Sequence, residues 1–424
     1  MNTQELEDYL YSYTNKYEHA DLSRMEDLMH RLGDPQKRLK FVHVAGTNGK
    51  GSCCAMTASI LRHAGYRTGL YTSPHIIRFS ERIQVNGENI PDRDLERLAL
   101  RVRGVIDGMQ EKVNWFEMVT AIGLLWFEEQ KCDIVVFEVG LGGTLDGTNI
   151  IEAPECSVIM NIGLDHTEIL GNTLEEIAVN KAGIIKKGCP TVIYRGVPSV
   201  EKVFEDTCAE KHSEMTRADF SSIRLIRSDL DGQRFDAEGM KELFIPLAGG
   251  HQLRNACVVI NVIRILTDKG WKITENDIRE GLKDVTWPVR FQVVSKDPVF
   301  IIDGGHNPQC TEAVAAGLDS LIGKNTHIVI LTGILADKDS SNMIDNLSRI
   351  SSDFVTVTPP SFRAMSSEKL GEMIRSKGFQ AVCCSTIEEG ISTAMHKAKE
   401  SDGAVCCVGS LYVAGAVLSH FQNR

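Results

Sequence analysis

A glycine-rich turn with one lysine and one hydroxyl side chain follows an apolar run near the start of the chain. The run is Phe41 to Ala45, and the turn is Gly46-Thr47-Asn48-Gly49-Lys50-Gly51-Ser52. Backbone N–H groups of such a turn can point at phosphates, the lysine supplies charge for the β and γ oxygens, and a following helix aims its positive end at them. We interpret the segment as an ATP site in which Lys50 is catalytic. The alternative is a strand-to-helix turn that binds nothing.

The spacing within this turn departs from the common G-x-x-x-x-G-K-[ST] pattern. Val44 stands where the first glycine of that pattern would be, and Gly46 lies only three residues before Gly49. A helix-compatible segment, Cys53 to His63, follows directly. The turn is therefore a compact variant of a phosphate loop.

Further groups that could do chemistry lie at or just past the ends of two later apolar runs. Glu138 lies near the end of the run 133–139, and Asp165 and His166 follow the run 156–162. Ligands of open α/β sheets bind at the carboxyl ends of the strands, so these groups are expected at that edge. Mg²⁺ prefers oxygen ligands, which makes Glu138 a candidate ligand, with Asp165 and His166 facing the same ion. The alternatives are that Glu138 ends an edge strand in water and that His166 caps a helix.

Such residues must be positioned by alternating strands and helices. Strand-like runs at 41–45, 133–139, 156–162 and 190–194 alternate with helix-length segments. This alternation predicts an α/β fold whose sheet is mostly parallel and carries helices on both faces. The polar segment Ser221 to Phe244 is expected to form a small β-excursion on the same domain.

The alternation breaks between Val285 and Pro298 and then resumes. A second series of strand-like runs, each with a helix-length segment after it, occupies 299–302, 327–332, 354–357, 381–384 and 404–408. We therefore predict an ATPase domain at 1–290, a hinge at 291–298 and a smaller Rossmann-like α/β domain at 299–424.

The charge and composition of the chain restrict its function class. Its 424 residues include 46 basic and 57 acidic side chains, a formal charge of −11, which argues against a general nucleic-acid or anionic-membrane surface. Residues 1–30 resemble no secretory signal, and the uncharged stretch Gly403 to Ser419 is interrupted by glycines, unlike a membrane span. The twelve cysteines have no zinc spacing, so free and mostly buried thiols are expected. A cytoplasmic protein is the expectation.

Short motifs recur in order along nearly the whole chain. After the glycine-rich turn they are Tyr71–His75, Arg78–Arg82, Phe116–Thr120, Glu138–Gly143, Gly163–His166, Leu170-Gly171, Ile177–Ile184, His251–Ala256, Trp287–Phe291, Asp303–Pro308, Asp337–Asp339 and Gly409–Tyr412. This ordered set resembles the folylpolyglutamate synthase/dihydrofolate synthase family of the Mur ligase superfamily.

The resemblance implies a Mur-ligase-type central domain with a C-terminal glutamate ligase domain, and an ATP- and Mg²⁺-dependent ligase reaction. ATP would phosphorylate a folate carboxylate, and the amine of L-glutamate would attack the acyl phosphate and release phosphate. The acceptor would be dihydropteroate, a reduced folate, or both. The expected protein is a monomer with small-molecule substrates and no nucleic-acid or membrane partner.

The resemblance also implies roles for individual residues. Catalysis would use Lys50, Lys181 and His306. ATP would contact Gly46, Thr47, Asn48, Gly49, Lys50, Gly51, Ser52, Asn255, Arg290 and Asp303. One Mg²⁺ would be held by Ser73, Glu138 and His166, and a second by Lys181 once CO₂ has carbamylated it. The acceptor would contact Phe116, Leu145 and Asp146. From the residues alone, Lys181 is a solvated helix lysine and His306 caps a helix, and both alternatives stay open.

The chain departs from the family pattern at four positions. Thr144 stands where the family usually has arginine, Gly147 and Gly305 replace alanines, and Val289 replaces a glycine. The loop that holds Thr144 lies near the pterin in relatives, so acceptor specificity is expected to differ. The changes at Val289 and Gly305 remove no functional group, and activity is expected to survive.

Three other function classes fit less well. A GTPase would need an Asn-Lys-x-Asp motif, but Asn180-Lys181 is followed by Ala182-Gly183. A peptidoglycan-type Mur ligase would carry a UDP-binding domain before its phosphate loop, and the segment before Gly46 is too short for one. A non-catalytic regulator would be expected to lack Lys50, Glu138 or His166, and all three are present.

Overall fold

The computed structural model describes residues 5, 10, 11, 21–323 and 326–423. Its backbone divides into two compact units. The first comprises Met1–Arg224, Phe235–Phe244 and Leu253–Val285, and the second comprises Leu225–Arg234, Ile245–Gln252 and Thr286–Arg424. The expectation about a secretory signal in residues 1–30 falls largely outside the described residues.

The described helices are α1 Ser23–Arg31, α2 Lys50–His63, α3 Asp92–Ile106, α4 Trp115–Glu129, α5 Thr167–Leu170, α6 Leu174–Ala182, α7 Pro198–Lys211, α8 Gly250–Asp268, α9 Glu275–Lys283, α10 Pro308–Leu321, α11 Ser340–Leu347, α12 Ser367–Ser376, α13 Ile387–Glu400 and α14 Leu411–Gln422. Short 3-10 helices lie at Pro35–Arg38, Phe79–Arg82, Gly147–Ile150 and Phe220–Ser222. Within these ranges no helix is both long enough and apolar enough to cross a membrane.

The described strands are β1 Phe41–Ala45, β2 Thr68–Tyr71, β3 Ile83–Val85, β4 Glu88–Asn89, β5 Ile134–Glu138, β6 Cys156–Ile159, β7 Thr191–Ile193, β8 Met215–Arg217, β9 Arg224–Asp229, β10 Gly232–Ala237, β11 Met240–Ile245, β12 Gln292–Lys296, β13 Val299–Ile302, β14 Ile328–Thr332, β15 Asp353–Thr356, β16 Gln380–Cys383 and β17 Ala404–Val408.

The sheet of the first unit has the strand order β4-β3-β2-β5-β1-β6-β7-β8. The strands from β2 to β8 in this order run parallel, and β3 and β4 are added antiparallel at one end. Every residue of β1 and β5 is buried, as expected for parallel strands that are covered on both faces. The turn after Ala45 and the side chain of Glu138 therefore emerge near the middle of the carboxyl edge, where open α/β sheets bind ligands.

Two hydrophobic cores stabilise this sheet. The larger core joins α1, α3 and α4 to strand residues such as Phe41, Tyr71 and Phe137, and the smaller one joins α6 and α7 to Ile159 and Ile193. Each fully buried large apolar side chain contributes roughly 1.5–3 kcal/mol relative to exposure. These cores thus hold in place the strands whose carboxyl ends form the edge of the sheet.

The sheet of the second unit has the order β12-β13-β17-β14-β15-β16. It is parallel except for β12, which pairs antiparallel with β13. The segment predicted as a hinge, 291–298, thus includes β12. A separate three-stranded sheet of β9, β10 and β11 confirms the predicted β-excursion, although residues 225–234 count with the second unit rather than the first.

The helix α4 begins with a buried ion pair. Asn114 accepts a hydrogen bond from Glu117 N at 2.9 Å and donates from its own N to Glu117 Oε2 at 2.8 Å, which closes a capping box. The same Glu117 carboxylate accepts from Arg24 Nε at 2.8 and 2.9 Å, and both side chains are buried. The pair ties α1 to the start of α4, beside Phe116.

Replacing Glu117 by glutamine is expected to lower the free energy of unfolding by about 3 kcal/mol, because it leaves the Arg24 charge buried without its carboxylate. Chemical denaturation followed by circular dichroism measures the change. The matched control is Glu129→Gln, because Glu129 pairs with Arg97 at 2.7 Å near the surface, where such a pair is worth about 0–1 kcal/mol. Equal losses in the two variants would contradict a structural role for the buried pair.

Candidate active site

The glycine-rich turn is shaped by two glycines that no other residue could replace without strain. Gly46 has φ of 151°, and a Cβ there would lie 2.6 Å from Met160 Cβ. Gly49 has φ of 86°, and a Cβ there would lie 2.7 Å from Asn255 Oδ1. The structure therefore brings Asn255, a predicted nucleotide contact, against the turn.

Hydrogen bonds hold the turn to the end of β6. Thr47 N donates to Asn161 O at 2.8 Å, and Asn48 N donates to the same oxygen at 3.3 Å. Thr47 Oγ1 and the backbone of Gly163 exchange two hydrogen bonds at 3.1 Å. These contacts link the predicted phosphate loop to the segment that leads to Asp165 and His166.

Lys50 is the first residue of α2, and its ammonium folds back over the turn. Nζ donates to Gly46 O at 3.0 Å and Thr47 O at 3.3 Å, and it lies 4.0 Å from Glu138 Oε1. Ser52, in the first turn of the same helix, is 2 % exposed. The loop thus combines a helix N-terminus with one ammonium group, the arrangement that suits a polyphosphate.

The carboxylate of Glu138 is buried at the end of a central strand, so the alternative of an edge strand in water is wrong. Its Oε2 accepts from Ser73 N at 3.1 Å, and Ser73 Oγ accepts from Arg82 Nη1 at 3.2 Å. A buried carboxylate beside a hydroxyl oxygen, at a phosphate loop, is a donor set that fits Mg²⁺. No cluster of three or more His, Cys, Asp or Glu side chains suited to a metal occurs in the described ranges, so phosphate oxygens would have to complete the coordination.

His166 takes the left-handed conformation at the start of the four-residue helix α5. Its φ is 52°, its N donates to Asp165 Oδ1 at 3.0 Å, and its Nε2 lies 4.0 Å from the same oxygen. His166 occupies the N-cap position of α5, but its side chain makes no capping hydrogen bond there. The imidazole ring of His166 therefore does not cap the helix.

Lys181, in the last turn of α6, is buried rather than solvated, with 4 % exposure. Burial, together with the positive charge of Lys50, lowers the pKa of Lys181 from 10.5 to about 7, while Asp165 and Asp146 oppose the shift. The structure therefore brings Lys181 within electrostatic range of the turn and of both aspartates. A large fraction of its amine is neutral near pH 7, as a reaction with CO₂ requires.

The residues predicted to bind the folate acceptor lie in the loop 140–150 or next to it. Phe116 lies so close to Gly140 that a Cβ there would be 2.4 Å from the phenyl ring. Leu145 is 52 % exposed, whereas Asp146 is buried and accepts from Leu141 N and Thr148 N at 2.8 and 3.0 Å. Leu145 is thus presented outward while Asp146 organises the loop from within.

The structure shows the local environment of each of the four departures from the family pattern. A Cβ at Gly147 would lie 3.1 Å from Glu117 Cγ, so the glycine leaves room for the buried ion pair. Val289 has φ of 51°, a conformation that favours glycine, the residue usual in the family. Thr144 donates from its hydroxyl to Asn180 O at 3.0 Å. A Cβ at Gly305 would lie 3.0 Å from both Asp303 Oδ1 and Cys310 Cβ, so glycine relieves a close contact there.

The predicted residues of the second unit lie at the carboxyl edge of its own sheet. Asp303, after β13, accepts from Phe291 N at 3.0 Å and Gly305 N at 2.7 Å. Arg290 Nη1 donates to Val289 O at 3.0 Å, and His306 Nδ1 lies 2.9 Å from Gly304 O. A carbonyl only accepts, so His306 carries its proton on Nδ1.

His306 is not the cap of the helix that follows it. Asn307 occupies that position, and its Oδ1 accepts from Cys310 N at 3.0 Å. The capping alternative for His306 is therefore wrong, and its ring is held by a turn rather than by the helix end.

Sequence reasoning gave no role to three residues that the structure places around the site. Arg82 is 3 % exposed and donates to both Ser73 Oγ and His75 Nδ1. His43 and Thr148 are fully buried and contact each other. Histidine in an otherwise apolar strand was the one available signal for His43, and nothing in the pattern distinguished Arg82 from a surface arginine.

Comparisons with known proteins agree with this geometry. The Mur ligase middle domain matches residues 44–263, and the Mur ligase glutamate ligase domain matches residues 289–411. The chain is 35 % identical to folylpolyglutamate synthase of Lacticaseibacillus casei over 98 % of both chains. The chain belongs to the folylpolyglutamate synthase/dihydrofolate synthase family of Mur ligases.

Other family members resemble this ligase to a similar degree. It is 37 % identical to the dihydrofolate synthase/folylpolyglutamate synthase of Bacillus subtilis, over 78 % of this chain and 79 % of that protein. The solved structure of E. coli FolC in complex with DHPP and ADP superposes with a TM-score of 0.88 at 30 % identity, covering 99 % of this chain and 97 % of that one. The fold of this ligase and its two-domain arrangement are thus those of the family.

Proposed function

We propose that the ligase joins L-glutamate to the carboxylate of a folate acceptor at the expense of ATP, through an acyl phosphate. The observation that carries the proposal is the convergence of the glycine-rich turn, Glu138 and Lys181 at one edge of one sheet, next to the loop 140–150. Relatives named for glutamate addition to folates, and a relative complexed with DHPP and ADP, support the substrate class. The acceptor is a reduced folate, dihydropteroate, or both.

The roles of the residues in the first unit follow from their positions. Backbone N–H groups of residues 46–52 and the Lys50 ammonium bind and orient the phosphates of ATP, and Asn255 contacts the nucleotide beside Gly49. This arrangement places positive charge where the transferring phosphoryl group gains negative charge. Phe116, Leu145 and Asp146 shape the acceptor side.

Ser73, Glu138 and His166 would hold one Mg²⁺, and Lys181 would hold a second through a carbamate. Bound magnesium supplies charge neutralisation for phosphoryl oxygens. The carbamate would form when the neutral Lys181 amine bonds to the carbon of CO₂ and one proton leaves to solvent, which turns a neutral group into an anion. The lowered pKa of Lys181 supports this step.

Residues of the second unit would also take part in the reaction. Arg290 would bind phosphate charge, Asp303 would hydrogen-bond the ribose or position a water of the metal, and His306 would act in catalysis. We propose domain boundaries at 1–290 and 299–424 with a hinge at 291–298. The ligase would act as a cytoplasmic monomer without nucleic-acid or membrane partners.

Glu138→Gln is expected to raise the Mg²⁺ concentration needed for half-maximal activity by about tenfold or more, because a neutral amide is a weaker ligand than a carboxylate. Titration of activity with MgCl₂ at saturating ATP measures the change. Glu155→Gln is the matched control, because Glu155 is also partly buried and pairs with a lysine, Lys269 at 3.0 Å, but is not a proposed ligand. An unchanged titration for Glu138→Gln would remove it from the metal site.

The proposed activity is tested by phosphate release from ATP with L-glutamate and, in separate tubes, dihydropteroate or tetrahydrofolate monoglutamate, with products checked by mass. Release that requires both substrates and adds one glutamate residue is the expected result. Consumption of ATP that does not depend on the pterin, or no consumption of ATP at all, would overturn the folate assignment.

A further inference from the structure

A chain of hydrogen bonds runs from the central strand β1 to the loop 140–150. His43 Nε2 lies 2.9 Å from Thr148 Oγ1, and Thr148 Oγ1 donates to Asp146 Oδ1 at 2.6 Å. His43 and Thr148 are fully buried, and Asp146 is 6 % exposed. His43 precedes Gly46 by three residues, so the strand β1 connects the phosphate loop to this series of hydrogen bonds.

The directions of these hydrogen bonds follow from the number of protons available. A threonine hydroxyl has one proton, which Thr148 gives to the Asp146 carboxylate, so His43 must donate from Nε2–H. The lone pair of the neutral imidazole then lies on Nδ1, which is buried and has no hydrogen-bond partner among the described residues. Burial, with a smaller effect from the Lys186 charge, lowers the pKa of His43 to about 3 and keeps the ring neutral.

Stability alone does not explain a histidine at this position. A buried ring nitrogen without a partner is costly, and replacing two hydrogen-bonded side chains by apolar ones of similar shape is often neutral. A leucine in β1 would fill the same space without a polar atom. What the imidazole adds is a fixed donor for Thr148.

Asp146, the last group in this series of hydrogen bonds, organises the loop. Asp146 accepts from Thr148 on Oδ1 and from Leu141 N on Oδ2, so its carboxylate joins both ends of the segment 141–148. Leu145, between these ends, is half exposed. Losing the Thr148 hydroxyl would leave Oδ1 with the Thr148 N–H at 3.0 Å, remove the shorter of its two hydrogen bonds to Thr148, and so loosen the position of Leu145.

We propose that His43 is a positioning residue for the folate acceptor, acting through Thr148 on Asp146 and the loop 140–150. The inference rests on the proposed function, which places this loop at the acceptor. His43 and Thr148 are fully buried, so they would act on the acceptor through the loop and not by direct contact. Their loss should therefore weaken acceptor binding and leave nucleotide binding and the chemical step nearly unchanged.

The test uses three variants of the full chain. Thr148→Val is expected to raise KM for the acceptor about tenfold, with KM for ATP and kcat changed less than about twofold, since only acceptor positioning is lost. Thr148→Ser keeps the hydroxyl and should retain the wild-type KM. The double variant His43→Leu with Thr148→Val removes both polar partners, so it should recover the unfolding midpoint lost in Thr148→Val while its acceptor KM stays high.

Two results would overturn the inference. One is an unchanged acceptor KM in Thr148→Val, and the other is recovery of the acceptor KM together with stability in the double variant, which would make the effect one of stability only. The ¹⁵N shifts of His43 in the substrate-free protein add an independent readout, with the Nε2–H tautomer expected and the Nδ1–H tautomer contradicting it. An inactive wild type would overturn the proposed function, whereas the tautomer would still be decided.

Discussion

Replacing Lys50 by alanine is expected to lower kcat by about 10³-fold or more while the protein stays folded. The Lys50 ammonium caps the two loop carbonyls of Gly46 and Thr47 and lies 4.0 Å from Glu138, so its removal takes the positive charge out of the phosphate loop. Preorganised charge at the site of phosphoryl transfer is worth this much in rate, because it stabilises the transition state more than the bound substrate. Steady-state phosphate release measures the loss.

The matched control for this experiment is Lys202→Ala. Lys202 lies on α7 and pairs with Asp206 on the surface, so its loss should leave kcat unchanged. Lys50→Arg should also be nearly inactive, because a planar guanidinium does not replace a compact ammonium between the two carbonyls. Turnover near the wild-type rate in Lys50→Ala, with thermal unfolding unchanged, would contradict the assignment of the phosphate loop.

Lys181→Ala is expected to lose about 10²-fold or more in kcat and to regain part of it when a short carboxylate such as acetate or propionate is added. Lys181 is buried, so alanine leaves a space in which an added carboxylate can take the place of the carbamate. Activity measured against carboxylate concentration tests this. Full activity of Lys181→Ala without any carboxylate would show that the lysine is only structural.

Lys186 provides the control for this rescue. It is a partly buried lysine of the same segment, burial lowers its pKa, and it donates to Asn149 O at 3.0 Å. Lys186→Ala should lower stability through the lost hydrogen bond, and added carboxylates should not change its activity. Equal rescue of both variants would mean that the carboxylates act elsewhere.

The lowered pKa of Lys181 also makes the stability of the protein depend on pH. The effect is measured in CO₂-free buffer, in which Lys181 cannot be carbamylated. The unfolded chain binds a proton at this lysine up to pH 10.5, whereas the folded chain releases it near pH 7. The unfolded state therefore holds more protons between these values, and the contribution of Lys181 to the free energy of unfolding rises with pH across that window. The free energy of unfolding of the wild type, relative to that of Lys181→Met, should therefore increase as the pH rises from 7 toward 10.

Most of the architecture could be predicted from local patterns. The runs at 41–45, 299–302 and 404–408 are β1, β13 and β17 with unchanged bounds, because buried parallel strands are short, apolar and bounded by turn residues. The short strands β2, β3, β4, β8 and β12 were missed. Four of them are partly exposed and of mixed composition, and β2 is buried but has only four residues with a glycine among them, so none has such a pattern. All twelve cysteines are free, as predicted, and most are buried.

The ordered motifs in the sequence determined the family, the glycine-rich turn and the identity of the groups at the carboxyl edge. These properties depend on residue types at close spacing, which the chain itself displays. The burial of Lys181, the distance from Lys50 to Glu138 and the path from His43 through Thr148 to Asp146 were decided only by the tertiary structure. Each of them joins residues far apart in sequence, and both the pKa of a buried amine and the direction of a buried hydrogen bond depend on neighbours that only folding supplies.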